Sequence, residues 1–181
     1  MSTNSFHSSA AADRRLRVAL DLTAVDVDVA ALREWLDPTA HHPSGASVRI
    51  TADDLRAAQR QTANIHAAVD RSARLPAAVD VLVDLEAMTA EQPGTARLLM
   101  GRHDTARRAL HQPESLRYVG TPAGLTGLIA DIYAAGVADG VTLRPLSIAT
   151  LRDFCTTAPA ILRRFGLLIE TMPLLHHAHT A

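Results

Sequence analysis

Carboxylate and hydroxyl side chains lie at the ends of segments whose sequence favours β-strands. There are four candidates of this kind: Asp21, Thr51, Asp84 and Glu86. The carboxyl ends of parallel strands meet at one edge of a sheet, so side chains there can face a common site. A carboxylate in this position is also commonly solvated or paired with an arginine. Both interpretations of the candidates stay open on the sequence alone.

Two further places could bind an anion. Gly120 and Thr121 precede Pro122 at the start of a helix pattern, and the free backbone N–H groups of a helix N-terminus attract negative charge. Arg144 ends a short strand pattern and could pair with a carboxylate, sulfonate or phosphate. A helix cap and an ordinary ion pair explain the same residues, so the binding role is one of two interpretations.

The chain from Arg117 onward has the order strand, helix, strand, helix. Thr121 is a suitable N-cap, Pro122 suits the first helical position, and Gly136 can end the helix in a left-handed conformation. The segment Gly140 to Pro145 is apolar at alternate positions and too short for a helix, and Ser147 offers a cap for the next one. Within that last helix, Pro159 should produce a kink or a split.

The upstream part repeats the same alternation of strands and helices. Strands are predicted over 15–22, 47–50 and 77–90, and helices over 27–36, from 51 to about 74, and over 95–110. Thr51 and Asp54 together match a capping box at the start of the second of these helices. The alternation predicts an α/β fold in which parallel strands are packed beneath outer helices.

Composition limits the classes of function. With 181 residues and a formal net charge of −1, the chain can form one domain and has no electrostatic preference for nucleic acid or an anionic membrane. The one cysteine, Cys155, falls on an apolar helix stripe, which favours a buried structural role in a reducing compartment. We expect a cytoplasmic protein with a disordered leader over 1–13 and a frayed tail over 167–181.

Histidines occur in two groups that could suggest a metal. His41 and His42 lie in a predicted loop, and His176, His177 and His179 lie in the tail. Neither group has a carboxylate or cysteine at ligand-like spacing, so we interpret both as solvated and predict no metal site.

Several motifs in the last third carry a resemblance. Gly120-Thr121-Pro122, Asp139-Gly140, Leu143-Arg144-Pro145 and Leu162-Arg163-Arg164-Phe165-Gly166 resemble the end of the bacterial luciferase-like flavin monooxygenases. The resemblance is to the branch with nitrilotriacetate, alkanesulfonate and dibenzothiophene-sulfone monooxygenases. Members of that family are (β/α)8 barrels that use reduced FMN and O2. The resemblance therefore implies FMN as cofactor, with Gly120, Thr121 and Arg144 as candidate cofactor-binding residues.

The chain is too short for a complete barrel, which needs about 250 residues. The resemblance therefore implies a half-barrel over 14–166 with about four parallel strands, matched to the second half of the family fold. Two functions remain: a truncated FMN-dependent monooxygenase completed by a second copy or by a complementary half-barrel chain, or a non-catalytic half-barrel that acts in oligomerisation or interaction through its open sheet edges.

Overall fold

The computed structural model describes residues 16–27, 46–72, 79–107, 115–164 and 170–174. This part of the chain contains six strands and four helices. The strands are β1 (Arg17–Asp21), β2 (Ala46–Ile50), β3 (Val79–Thr89), β4 (Leu116–Gly120), β5 (Gly140–Pro145) and β6 (Glu170–Leu174). The helices are α1 (Leu55–Asp70), α2 (Pro93–Arg107), α3 (Pro122–Ala134) and α4 (Ile148–Arg164).

All strand pairs in the described part are parallel, and the sheet has the order β2-β3-β5-β1-β6. The long strand β3 pairs with β5 on one edge. Its other edge is shared, since β2 pairs with Val79–Val83 and β4 pairs with Leu85–Thr89. The sheet curls into a half-barrel flanked by helices, which confirms the predicted α/β class and the partial barrel of parallel strands.

The position of β1 differs from the expectation of consecutive repeats. A run of four successive units would place β1 beside β2, but β1 lies between β5 and β6. In a closed barrel the first and last strands are neighbours, so a central first strand is compatible with the barrel geometry. Hydrophobic patterning identifies strands but contains no information on which strands pair.

Strand β6 lies in the segment that we expected to be frayed. Glu170–Leu174 pairs in parallel with β1 along its whole length, from Arg17–Glu170 to Asp21–Leu174. The sequence did not indicate this strand, because its five residues, ETMPL, include a proline and lack a clear apolar alternation. The histidines at 176, 177 and 179 lie outside the described residues, as do the histidines at 41 and 42, the leader and residues 28–36 of one predicted helix.

The outer face of the sheet forms the main hydrophobic core. Alternate residues of each strand point to opposite faces, and those on the outer face are apolar and fully buried, as with Val83, Leu143 and Leu20. Helices α3 and α4 pack on this face and on each other, burying Ile129 and Phe154. Burial of this face against two amphipathic helices supplies the main driving force for folding.

The inner face carries charged residues and a small apolar cluster. Met88 and Val119 lie on this face, where they pack with Met100 of α2. Only Ala96 and Met100 of α2 are buried, and Leu98 is 69% exposed. Helix α2 therefore lies over one end of the inner face, apart from the outer helix layer.

The helix ends follow the sequence in three places and depart from it in one. Thr121 caps α3 by accepting from Gly124 N, Gly136 has a φ of 62°, and Ser147 Oγ accepts from Thr150 N. The cap of α1, however, is Asp54, which accepts from Ala57 N at 2.7 Å, so Thr51 does not cap that helix. Helix α4 continues through Pro159 as a single element, so of the predicted kink or split the split does not occur.

Candidate functional site

Three of the predicted strand-end residues come together on the inner face: Asp21 ends β1, whereas Asp84 and Glu86 lie in the middle of β3. Glu86 is opposite Arg144 in the parallel register, and Asp21 is one residue beyond the pair Leu20–Leu143. Strand alternation then places Asp84 on the same inner face as Glu86. Asp21, Asp84 and Glu86 are all buried, at 1%, 8% and 3% exposure.

Asp21 is the hub of this cluster. Its Oδ1 accepts hydrogen bonds from the Thr23 backbone N–H at 3.1 Å and from the Thr23 hydroxyl at 2.6 Å. Its Oδ2 accepts from Arg49 at 2.7 Å and from Arg144 at 3.0 Å. Burial alone would raise the pKa of Asp21, but the hydrogen bonds from Thr23 and Arg49 outweigh it and hold the pKa well below its ordinary value. Asp21 is therefore ionised at neutral pH and anchors two guanidinium groups.

Arg144 continues the network towards β4. Its second terminal nitrogen lies 3.4 Å from Glu86 Oε1, and the other oxygen of Glu86 pairs with Arg117 at 3.1 Å. Arg117 also reaches Asp104 of α2 at 3.3 Å. The result is a chain of alternating charges along the inner face, which ends on the helix that lies over that face.

Arg49 is a member of the site that sequence reasoning missed. Its Nε donates to Asp84 and its terminal nitrogen donates to Asp21, so one side chain joins two buried carboxylates. The available signal was the alternation of β2, which places Arg49 and Ile50 on opposite faces. To place Arg49 at the site from this alternation, one must also know that β2 pairs with β3, and the local sequence does not predict which strands pair.

Gly120 and Thr121 do not join the cluster. Tyr118 packs against the outer-face core, whereas its neighbour Val119 belongs to the inner methionine cluster; Gly120, two residues after Tyr118, follows the outer face. The predicted anion site at the start of α3 is also filled from within the chain. A Cβ added at Gly124 would lie 2.1 Å from the Tyr118 hydroxyl oxygen, and the Gly124 N–H is already bonded to Thr121.

Thr51 is also outside the cluster. It follows β2 as an exposed residue, and its backbone carbonyl accepts a hydrogen bond from Gln61 of α1 at 3.1 Å. Thr51 therefore helps to join β2 to α1. None of the described contacts joins the Thr51 side chain to the inner face.

Two polar atoms of β5 are buried without a hydrogen-bond partner among the described residues: Arg144 Nε and Thr142 Oγ1. Thr142 lies two positions before Arg144 and therefore shares its face. Because burying an unpaired donor is unfavourable, these atoms mark the part of the face that retains capacity for a polar group. The terminal nitrogens of Arg144 are already engaged by Glu86 and Asp21.

These contacts decide whether the predicted residues fit an FMN phosphate. A phosphate anchor needs free N–H donors and excess positive charge. The helix N-terminus at Thr121 is capped and covered, and on the inner face Arg49, Arg117 and Arg144 are balanced by Asp21, Asp84 and Glu86. The described residues therefore do not form a phosphate anchor at either predicted place.

Other reactive groups have structural surroundings. Cys155 is buried on α4, and burial raises the pKa of its thiol to about 11, so the thiolate needed for nucleophilic chemistry is scarce at neutral pH. No group of three potential metal ligands is found in the described ranges. None of the helices described here combines the length and apolar character needed to cross a bilayer.

The chain has a structural relative among solved proteins. No protein-family model matches it, and no curated protein is significantly similar to it in sequence. The structure of EDTA monooxygenase from Chelativorans sp. BNC1 is similar, with a TM-score of 0.57 and 16% sequence identity. The similarity covers 70% of this chain and 41% of that one. The chain thus shares a fold with that protein and spans about two fifths of its length.

Proposed function

We propose that this chain is part of a luciferase-like flavin-dependent monooxygenase, which uses reduced FMN and O2 on a small organic substrate once its barrel is completed. The observation that carries the proposal is the convergence of Asp21 and Arg144, at the carboxyl ends of β1 and β5, with Asp84 and Glu86 from the middle of β3. That end of a (β/α) barrel is where active sites are built. The shared fold with a protein named as a monooxygenase supports the same conclusion.

The proposed enzyme needs further polypeptide to complete its barrel. The similar monooxygenase is covered over 41% of its length, and within the described residues β2 and β6 each pair with a single strand. Unpaired edge groups favour association with further strands. Since the described residues form no phosphate anchor at the predicted places, the proposal assigns the remaining cofactor contacts to a second copy or to a complementary half-barrel chain. Bound FMN would supply the oxygen chemistry, and this chain would supply the charged inner face.

Flavin retention measured together with molecular mass tests this function. The purified full-length chain is incubated with FMN and passed through a size-exclusion column with light-scattering detection. The flavin absorbance at about 450 nm is recorded for each eluting species. We expect flavin to co-elute with an assembled species. Arg144→Gln should weaken retention by disrupting the charged inner face that Arg144 holds together through Asp21 and Glu86, while Arg152→Gln, on the exposed side of α4, should leave retention unchanged. Absence of flavin from every assembled species would contradict the proposal.

A second function, a non-catalytic interaction module, is favoured by one specific observation. The charges of the inner face are balanced within the chain. Asp21, for example, accepts hydrogen bonds from three residues: Thr23, Arg49 and Arg144. Charges balanced in this way do not need a charged ligand. The same size-separation experiment distinguishes the two functions. An oligomer without flavin supports the interaction module, and an oligomer with flavin supports the enzyme.

A further inference from the structure

Two ion pairs on the inner face join strands that are not neighbours in the sheet. Arg49 of β2 bonds to Asp21 of β1 at 2.7 Å, although β3 and β5 lie between these strands. Arg17 of β1 bonds to Asp80 of β3 at 2.6 Å, across β5. The other pairs between strands, such as Arg144 with Asp21, join adjacent strands.

The Arg49–Asp21 contact places a geometric requirement on the sheet. Arg49 is opposite Leu82, Leu82 is opposite Gly140, and Gly140 is opposite Arg17, four residues before Asp21. In a flat sheet, the Cα atoms of Arg49 and Asp21 would be about 14 Å apart across the strands and about 13 Å apart along them. The extended side chains of one arginine and one aspartate are shorter than that diagonal. The bond therefore forms only when the sheet curls towards its charged face.

The Arg17–Asp80 pair acts in the same direction at the opposite end of the strands. It crosses β5 at Gly140, where a Cβ would lie 2.0 Å from the backbone oxygen of Arg17 and 2.9 Å from Leu82. The strands approach closely at this point, and only glycine leaves the necessary space. Close backbone approach under the ion pair is the second sign of tight curvature.

In a closed barrel, curvature is enforced because the last strand hydrogen-bonds to the first. In the described part of this chain β2 pairs only with β3, and four of its five residues, Ala46 to Arg49, are exposed. Little burial therefore holds β2 at its place in the arc. The side-chain bonds of Arg49 to Asp84 and Asp21 are the additional connection between β2 and the remainder of the inner face.

We propose that Arg49–Asp21 and Arg17–Asp80 are cross-braces, that is, ion pairs across the concave face that keep the described part of the sheet curled. They favour the same curvature that strand closure enforces in a complete barrel. This inference goes beyond the proposed function and does not depend on flavin. It assigns a conformational role to Asp21, which the sequence had marked as a candidate for the site.

Amide hydrogen exchange of β2 tests the braces. The variants are Arg49→Gln, Asp21→Asn and the double variant, with Arg152→Gln as the control because the Arg152–Asp153 pair is exposed on α4. We expect the amides of Val48 and Ile50 to exchange on the order of tenfold faster in Arg49→Gln, from the loss of charged hydrogen bonds. Amides within α3 should keep their wild-type rates, because they pack on the opposite face.

The double variant keeps the test decisive if a single charge left without its partner prevents folding. It removes both charges of the brace, so neither Arg49 nor Asp21 is left as an ion without the other. Asp84 loses its bond from Arg49 in the double variant and in Arg49→Gln alike, so this loss cancels when the two variants are compared. The brace predicts that its β2 amides exchange about as fast as those of Arg49→Gln, and that the two single changes are not additive. Exchange of β2 within about twofold of wild type in both Arg49→Gln and the double variant would overturn the inference. Because no flavin is present, this result leaves the proposed function untouched.

Discussion

The two faces of this sheet are held in different ways. The outer face is apolar and packs against α3 and α4, so its stabilisation is non-directional and grows with buried area. The inner face is held by arginine–carboxylate pairs in which each bond depends on one geometry. The outer face can therefore tolerate small shifts in packing, whereas the inner face fixes how the strands are placed relative to one another.

Loss of a large side chain from the outer face should have the largest effect. Phe154 is 1% exposed in the core, and Phe154→Ala should lower the free energy of unfolding by about 3–5 kcal/mol, from lost transfer energy and the cavity that remains. Chemical denaturation gives this value directly. Ile148→Ala, at a site 49% exposed on the same helix, is the matched control. An equal loss in both variants would show that the outer face is not the main core.

Crowding the inner face at Gly140 should have the next largest effect. The Cβ of Gly140→Ala would lie 2.0 Å from a backbone oxygen that cannot move away without displacing β1, so we expect a loss of about 1–3 kcal/mol from overpacking. Gly127→Ala is the control, because a Cβ at Gly127 of α3 meets nothing within 4 Å and alanine favours the helix. Denaturant midpoints should move in opposite directions. A stable Gly140→Ala protein would contradict the close approach of β1 and β5.

Asp21 should make stability depend on pH. Its pKa is lowered in the folded state, so its contribution is complete above the unfolded value of about 3.9 and is lost as the pH falls through the folded value. Asp21→Asn should cost about 1–3 kcal/mol at pH 7, and the difference from wild type should shrink below about pH 4. Urea unfolding at pH 7, 5 and 3.5 measures this. A difference that stays constant over that range would show that the charge of Asp21 does not matter.

Substitutions of two threonines at the rim of the sheet should have the smallest effects on stability, and the two effects should differ. Thr121 caps α3, whereas Thr51 caps nothing because Asp54 has that role. Thr121→Ala should therefore lower the free energy of unfolding by about 1 kcal/mol, and Thr51→Ala should be within about 0.5 kcal/mol of wild type. Thermal unfolding of both variants under the same conditions compares them. Equal destabilisation by the two substitutions would contradict the assignment of a capping role to Thr121 and not to Thr51.

Most of the elements were predictable because their signals are local. Thr121, Pro122 and Gly136 mark the bounds of α3 through backbone hydrogen bonding and φ preference, which depend on a few neighbouring residues. The alternation in 79–89 likewise identified β3. The predicted capping box at Thr51 was wrong because Asp54 competes for the same helix start and its carboxylate is the better acceptor there.

The site was predictable only in part. Strand ends identified Asp21, Asp84, Glu86 and Arg144 as candidates, and the structure brings all four together. It separates them from Gly120 and Thr121, which belong to the helix-covered side, and it adds Arg49 and Arg117, which no motif identified. Cofactor binding and completion by a partner stay proposals.

By itself, the sequence determined most of the strands and helices of the described part, β6 excepted, and which face of each is apolar, because both depend on residues a few positions apart. Only the tertiary structure decided that β1 lies between β5 and β6 and that Arg49 reaches Asp21 across two intervening strands. Strand order and curvature arise from contacts between residues distant in the chain. Local preferences do not encode such contacts, so the charged face acquires its arrangement only when the sheet has formed.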